Sequence, residues 1–339
     1  MIKNPVVLVY GQTAVSRAAQ LEPRLSPGWQ LLVWDVSDGK PEDFESMLAQ
    51  ADVIVGGPIP TPAWPPTPRL KLIQVPWAGY EWARPENVPQ NVPLCNTYEH
   101  EVPIAEYVML TILESRIGLR RMDSTFRKSG WDGKGPGNSV YHGEIQGATI
   151  GVIGYGHIGE EVARRAAAFG ISVIGIRRST MPTPPELQWL GTPDRTAELL
   201  AQSDYVLIAC DLNDATRGMV DAEFLDKMKD DAWIINVARG AIIDEDALYD
   251  ALVNHHIGGA IIDTWYNYPD RTNPEPWPSN QRFHDLPNTI LSAHESGWTK
   301  ELQERRWQFV ADNIERLRRE EPLQNIAMNG LAQTGDPAR

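Results

Sequence analysis

The sequence predicts an α/β protein built on two parallel sheets. Short β-branched runs alternate with helical patterns over the first hundred residues, a long helical stretch follows, and a second, stronger alternation begins at Thr149. The 339-residue length suits two domains, and 42% hydrophobic content gives each a core to bury.

In chain order, Val6 to Tyr10, Leu31 to Trp34, Val53 to Val55 and Leu72 to Val75 read as strands, and their alternation with helices implies parallel pairing. Glu101 to Arg127 reads as one long helix, with Ile104, Ala105, Val108, Met109, Ile112 and Leu113 on one stripe. Trp131 to Gly147, rich in Gly, Pro and polar residues, reads as a loop. Thr149 to Ile153, Ser172 to Ile176, Tyr205 to Ile208, Ala232 to Asn236, Gly258 to Ile262 and Thr289 to Leu291 then supply six strands, enough for a doubly wound sheet. Pro269 to Pro287 reads as an insertion loop, and Trp298 to Arg319 as an amphipathic helix that must cover a face left open.

A formal net charge of -14 repels phosphate backbones and anionic lipid, so neither nucleic acid nor membrane is an expected partner. The two cysteines, Cys95 and Cys210, lie in apolar runs and read as small buried hydrophobes. Beyond the adjacent His255 and His256 the histidines show no grouping with metal-ligand spacing, so no metal is expected. The chain starts directly on an apolar strand, and no run approaches the length of a membrane span; a soluble, cytoplasmic protein is the expectation.

Gly154-Tyr155-Gly156-His157-Ile158-Gly159 follows an apolar strand and opens a helical pattern. In that context glycines permit a tight turn and bring backbone close to a pyrophosphate, which the helix N-terminus favours. At the end of the next strand, where an acidic residue would hold the ribose of NAD, stand Arg177, Arg178, Ser179 and Thr180. Two guanidinium forks and two hydroxyls suit the extra phosphate of NADP, so NADP(H) is the preferred cofactor, with NAD(H) the alternative. Asn236-Val237-Ala238-Arg239-Gly240 ends another strand, and Arg239 there is able to grip a carboxylate and a carbonyl oxygen. Asp263 and His294 end the last two strands on the same edge.

With these residues assembled, the chain resembles the D-isomer-specific 2-hydroxyacid dehydrogenase family over nearly its whole length. The resemblance also runs through Ala105-Glu106, Arg127 to Trp131, Asp244 to Leu248 and Leu286-Pro287-Asn288. It implies a Rossmann cofactor domain, 99–298, inserted into a flavodoxin-like substrate domain, 1–98 and 299–339, both doubly wound, with the site in the cleft between them. It implies His294 as general acid/base, Arg239 as the carboxylate-binding and carbonyl-polarising group, and Asp263 as the nicotinamide anchor. Trp77-Ala78-Gly79 resembles the substrate-carboxylate loop and Asn96 a further substrate contact, while Cys210, Thr216, Val237, Ala238, Arg239, His294 and Gly297 complete the cofactor set. The connector helix resembles a dimerisation arm, so a homodimer is expected.

One departure stands out. Five residues beyond Asp263 the family carries a glutamate that raises the pKa of the histidine, and here that position is Tyr268. A neutral phenol stabilises imidazolium less well than a carboxylate, so His294 is expected to titrate low and reduction to favour acidic pH. Glu275 and Glu295 are the alternative partners. The stretch Asp263 to Pro269, His294 to Gly297 and Cys95-Asn96 also resemble the formate dehydrogenase branch, which makes formate oxidation the second enzyme reading. A dinucleotide-binding sensor with weak catalysis is the third. Trp77, Tyr80, Tyr98, Trp265, Tyr268 and Trp298 either line a pocket for a larger side chain or seal the site.

Overall fold

The computed structural model describes residues 5–35, 39–61, 63–84, 86, 88–131, 141–269 and 273–329. The chain divides into two compact units, Met1–Glu99 with Thr299–Arg339, and His100–Trp298.

In the first unit, β1 (Val6–Tyr10), β2 (Gln30–Trp34), β3 (Val53–Val55), β4 (Leu72–Gln74) and β5 (Pro93–Cys95) form a parallel sheet in the order 2-1-3-4-5, the flavodoxin-like order. The strand Ile326–Asn329 adds to β5 antiparallel. Alternate residues feed two cores. Leu8, Tyr10, Ile54, Ile73 and Leu94 pack with Phe44 and Leu48, while Val7, Val9, Val53, Val55 and Cys95 pack under the helix Lys300–Arg318. Trp307, Val310, Ala311 and Ile314 form that helix's buried stripe at 3.6-residue spacing, so the amphipathic helix covers the face left open. Thr299 caps it, accepting the Leu302 amide at 3.1 Å.

In the second unit, β6 (Thr149–Ile153), β7 (Ser172–Ile176), β8 (Trp189–Gly191), β9 (Tyr205–Ile208), β10 (Trp233–Asn236), β11 (Gly259–Ile262) and β12 (Thr289–Leu291) are all parallel, in the order 8-7-6-9-10-11-12. This is the Rossmann order with one strand more, and its direction of winding reverses between β6 and β9. The sheet thus has seven strands where six were expected; β8 contains no β-branched residue to mark it as a strand. The connector is two helices, Glu101–Ile117 and Leu119–Ser129, because Gly118 adopts a left-handed φ of 69° and ends the first. The insertion carries a short 3-10 turn, Phe283–Asp285, whose Phe283 is buried in the core. Among the described residues no helix is long and apolar enough to cross a membrane.

Candidate active site

Sheet register sets the site. Ile176, Ile153, Ile208, Asn236, Ile262 and Leu291 are paired in sequence across the sheet, so the residues that follow them emerge at one edge. These are Arg177, Gly154, Cys210, Arg239, Asp263 and His294, brought together as the sequence placed them.

Each glycine of the loop after β6 has its own reason. Gly154 has φ of 91°, and a Cβ there would lie 2.5 Å from the Cys210 backbone. Gly156 precedes the helix His157–Ala167, and a Cβ there would meet nothing within 4 Å, so backbone is open to a ligand. A Cβ at Gly159 would lie 3.1 Å from Val152, where helix and strand close on each other. The amides of Gly154 and Tyr155 both donate to Ile176, and Tyr155 and Ile158 pack into the core beneath the loop. These are the features of a pyrophosphate cradle, and the buried Thr264 hydroxyl beside Asp263 lacks a protein partner among the described residues. The residues present therefore fit a dinucleotide.

Arg177 follows β7, its amide bonded to Gly191, and Arg178, Ser179 and Thr180 are exposed beyond it. After β9, Thr216 is fixed in a turn, donating to the Asp211 carbonyl at 2.7 Å. Burial pushes the Cys210 thiol up to about 12, with Asp211 adding to it, so it stays protonated.

The Asn236 side chain clasps the next loop, accepting from the Ala238 amide at 3.1 Å and donating to the Arg239 carbonyl at 3.0 Å. Val237 and Ala238 are buried, and the Arg239 guanidinium is half-buried and donates to the Ala238 carbonyl at 2.8 Å. Gly240 is required, since a Cβ there would lie 2.2 Å from the Trp265 carbonyl oxygen.

Asp263 is fully buried and holds the His294 loop. Its Oδ1 accepts from the Ser292 hydroxyl at 2.6 Å and the Glu295 amide at 2.8 Å, and both oxygens accept from the Ser296 amide at 3.2 Å. The Ser296 hydroxyl donates to Oδ2. Within this turn His294 takes a left-handed φ of 58°. Tyr107, from the connector helix, meets Ser292 at 2.6 Å and extends the network. Gly297 follows, packed beside Ile104. Sequence reasoning missed Ser292, Ser296 and Tyr107; two serines flanking a histidine at a strand end were the only signal.

The partner of His294 Nδ1 is Tyr268, at 2.9 Å, rather than Glu275 or Glu295. Loss of water around the ring lowers the His294 pKa, Asp263 opposes this and Arg239 adds to it. Tyr268 also lines a cavity of about 500 Å³ with Asn267, Asn273, Trp277 and Asn280.

In the first unit, Trp77, Ala78 and Gly79 follow β4, and Asn96 follows β5. The buried Asn96 donates from Nδ2 to the Ala78 carbonyl at 2.9 Å, and the Thr97 amide donates to Trp77. Trp77 and Tyr80 pack against this unit's own core, and Trp265 against that of the second unit, whereas Trp298 is exposed.

Residues 109–296 match the family model described as D-isomer specific 2-hydroxyacid dehydrogenase, NAD binding domain. A D-3-phosphoglycerate dehydrogenase of Methanocaldococcus jannaschii is 31% identical over 66% of this chain and 41% of its own length. A human glyoxylate reductase/hydroxypyruvate reductase is 34% identical over 52% of each chain. The chain thus spans about half or less of the length of these two relatives. A crystal structure of a D-isomer specific 2-hydroxyacid dehydrogenase family protein from Aeromonas salmonicida superposes with a TM-score of 0.77, covering 95% of this chain and 98% of that one at 20% identity.

Proposed function

This chain belongs to the D-isomer-specific 2-hydroxyacid dehydrogenase family, and we propose that it reduces a small 2-oxo acid to the 2-hydroxy acid with NADPH. The observation that carries this reading is the single sheet edge presenting the glycine loop, Arg239, Asp263 and His294.

The turn at Gly154 and Tyr155, whose own amides are spent on Ile176, presents the amides of Gly156 to Gly159, which hold the pyrophosphate, and Arg177, Arg178 and Ser179 hold the 2'-phosphate that distinguishes NADPH. Cys210, Thr216, Val237, Ala238 and Gly297 shape the walls of this cofactor site. The bound nicotinamide supplies the hydride. Arg239 binds the substrate carboxylate and polarises the carbonyl, and the alkoxide that develops is stabilised by its fixed charge. His294 Nε2 donates the proton to that oxygen. Asp263 fixes the turn that aims the ring. The loop Trp77-Ala78-Gly79, tied by Asn96, takes the carboxylate-binding role that the family resemblance gives it.

The test is NADPH oxidation with glyoxylate, hydroxypyruvate, pyruvate and phenylpyruvate, beside NADH controls and formate in the oxidative direction. Turnover of an oxo acid that falls by a factor of about 10² to 10⁴ in His294→Ala supports the reading. Turnover of formate alone would make the chain a formate oxidiser, and cofactor binding without turnover of any acid would make it a sensor.

A further inference from the structure

We propose that Tyr268 is the positioning residue of His294. Its hydroxyl, with the Trp265 amide donating into its oxygen, donates to Nδ1 and holds the neutral imidazole as the Nε2–H tautomer. The inference rests on the reading of His294 as the proton donor.

Three observations carry it. The Tyr268 hydroxyl lies 2.9 Å from His294 Nδ1, and the Trp265 amide lies 3.1 Å from the same phenol oxygen. A phenol has one proton and two lone pairs, so the amide uses acceptor capacity and strengthens the remaining O–H as a donor. The turn that carries the tyrosine is held on several sides. The Trp265 indole donates to the Ser292 carbonyl at 2.7 Å, and the amides of Tyr266 and Asn267 donate to the Pro278 carbonyl at 3.2 and 3.0 Å. Glu245 accepts the Asn280 amide at 2.6 Å, fastening the same segment to a helix N-terminus. Tyr268 is therefore placed by the fold and does not simply rest against the ring.

The groups acting on the ring are Asp263 at the end of β11, Arg239 after β10, and Tyr268. The phenol is neutral, since burial raises its pKa against the opposing influence of the Trp265 amide and Arg239.

The consequence differs from that of a carboxylate at the same place. A carboxylate only accepts, so it keeps the proton on Nδ1 and leaves Nε2 a bare lone pair once the ring is neutral. A hydroxyl that donates to Nδ1 leaves the lone proton on Nε2. His294 then offers Nε2–H to a substrate oxygen whether or not the ring is charged. When the ring is protonated, the phenol O–H rotates away and its oxygen accepts the Nδ1–H. In reduction, hydride adds to the carbonyl carbon, the C=O π pair becomes the alkoxide lone pair, and that oxygen takes the Nε2 proton from the imidazolium. Substrate binding and proton delivery are thereby separated: the neutral ring binds the oxo acid but does not complete its reduction.

Imidazole ¹⁵N NMR on the full chain, with His294→Ala to assign the signal, reads the tautomer directly above the pKa. The expected result is a protonated Nε2 and an unprotonated Nδ1 in the native protein, loss of that preference in Tyr268→Phe, and a protonated Nδ1 in Tyr268→Glu. The pKa of His294 is expected to rise in both variants, by about half a unit to one unit in Tyr268→Phe. In steady state, KM for the oxo acid should stay flat across the His294 titration while kcat carries the pH limb, and Tyr268→Glu should make KM rise with pH. A native Nδ1–H tautomer, or one unchanged in Tyr268→Phe with thermal unfolding intact, would overturn the proposal. Because the NMR reading needs no turnover, a chain that reduces no oxo acid but shows the expected tautomer would defeat the functional reading alone.

Discussion

Asp263 holds Ser296 twice over, accepting its backbone amide with both carboxylate oxygens and its hydroxyl with Oδ2. The carboxylate thereby closes the turn in which His294 sits at positive φ. Asp263→Asn would aim an NH2 at donors inside a fully buried site. We expect a loss of about 2 to 4 kcal/mol in stability by chemical unfolding and a drop in kcat of at least tenfold. Native kcat in this variant would show that the turn is held by other means.

The lowered His294 pKa fixes the direction of the pH response. Reduction requires the imidazolium, whose population falls as pH rises through a value below the ordinary imidazole pKa of about 6.5. The kcat for oxo-acid reduction should accordingly be higher at pH 5.5 than at pH 7.5. The folded chain also binds this proton less readily than the unfolded chain does. His294 should therefore subtract from stability as pH falls from the ordinary imidazole value toward the lowered one. A kcat limb above the ordinary value would contradict both statements.

Arg177 and Arg178 follow β7 where an acidic residue would select NAD. Replacing both with alanine should raise KM for NADPH by roughly 10- to 100-fold, the loss of two charge-assisted contacts, while leaving KM for NADH within a few-fold. Equal losses with both cofactors would place the arginines elsewhere than on the 2'-phosphate.

None of the residues of the Leu119–Ser129 helix is buried, and Leu119, Phe126 and Trp131 present an apolar surface. Self-association of this surface is the expected use, giving a homodimer of twice 37.9 kDa by light scattering. Phe126→Glu with Trp131→Glu should shift the mass to the monomer. A monomer at micromolar native protein would remove the premise.

The glycine loop, Arg239, Asp263 and His294 were legible in the sequence because each lies within three residues of the end of a β-branched apolar run. Parallel register then carries all of them to one edge. Two strands escaped for the opposite reason: Trp189–Gly191 has no β-branched residue and Ile326–Asn329 only one, so neither carries a strand signal. The break at Gly118 was hidden by the apolar stripe that precedes it. Tyr268 was marked by its position, but its bond to His294 depends on a turn fastened by Pro278 and Glu245, contacts without periodicity. The serines that satisfy Asp263 flank His294 in the sequence but carried no assigned role there, because a hydroxyl gains meaning only when a buried carboxylate faces it.

The helix Lys300–Arg318 roofs one face of the first sheet, and it is made some two hundred residues after β5. On the ribosome, the five parallel strands of that sheet emerge before this roof, with Val7, Val9, Val53 and Val55 still lacking it, and the antiparallel strand Ile326–Asn329 emerges after it. The contiguous unit His100–Trp298 has all of its own strands in hand earlier. The chain therefore completes its middle before its beginning, and a truncation after Thr299, which takes away both that helix and the strand Ile326–Asn329, would leave the first sheet exposed to aggregation while sparing the unit His100–Trp298.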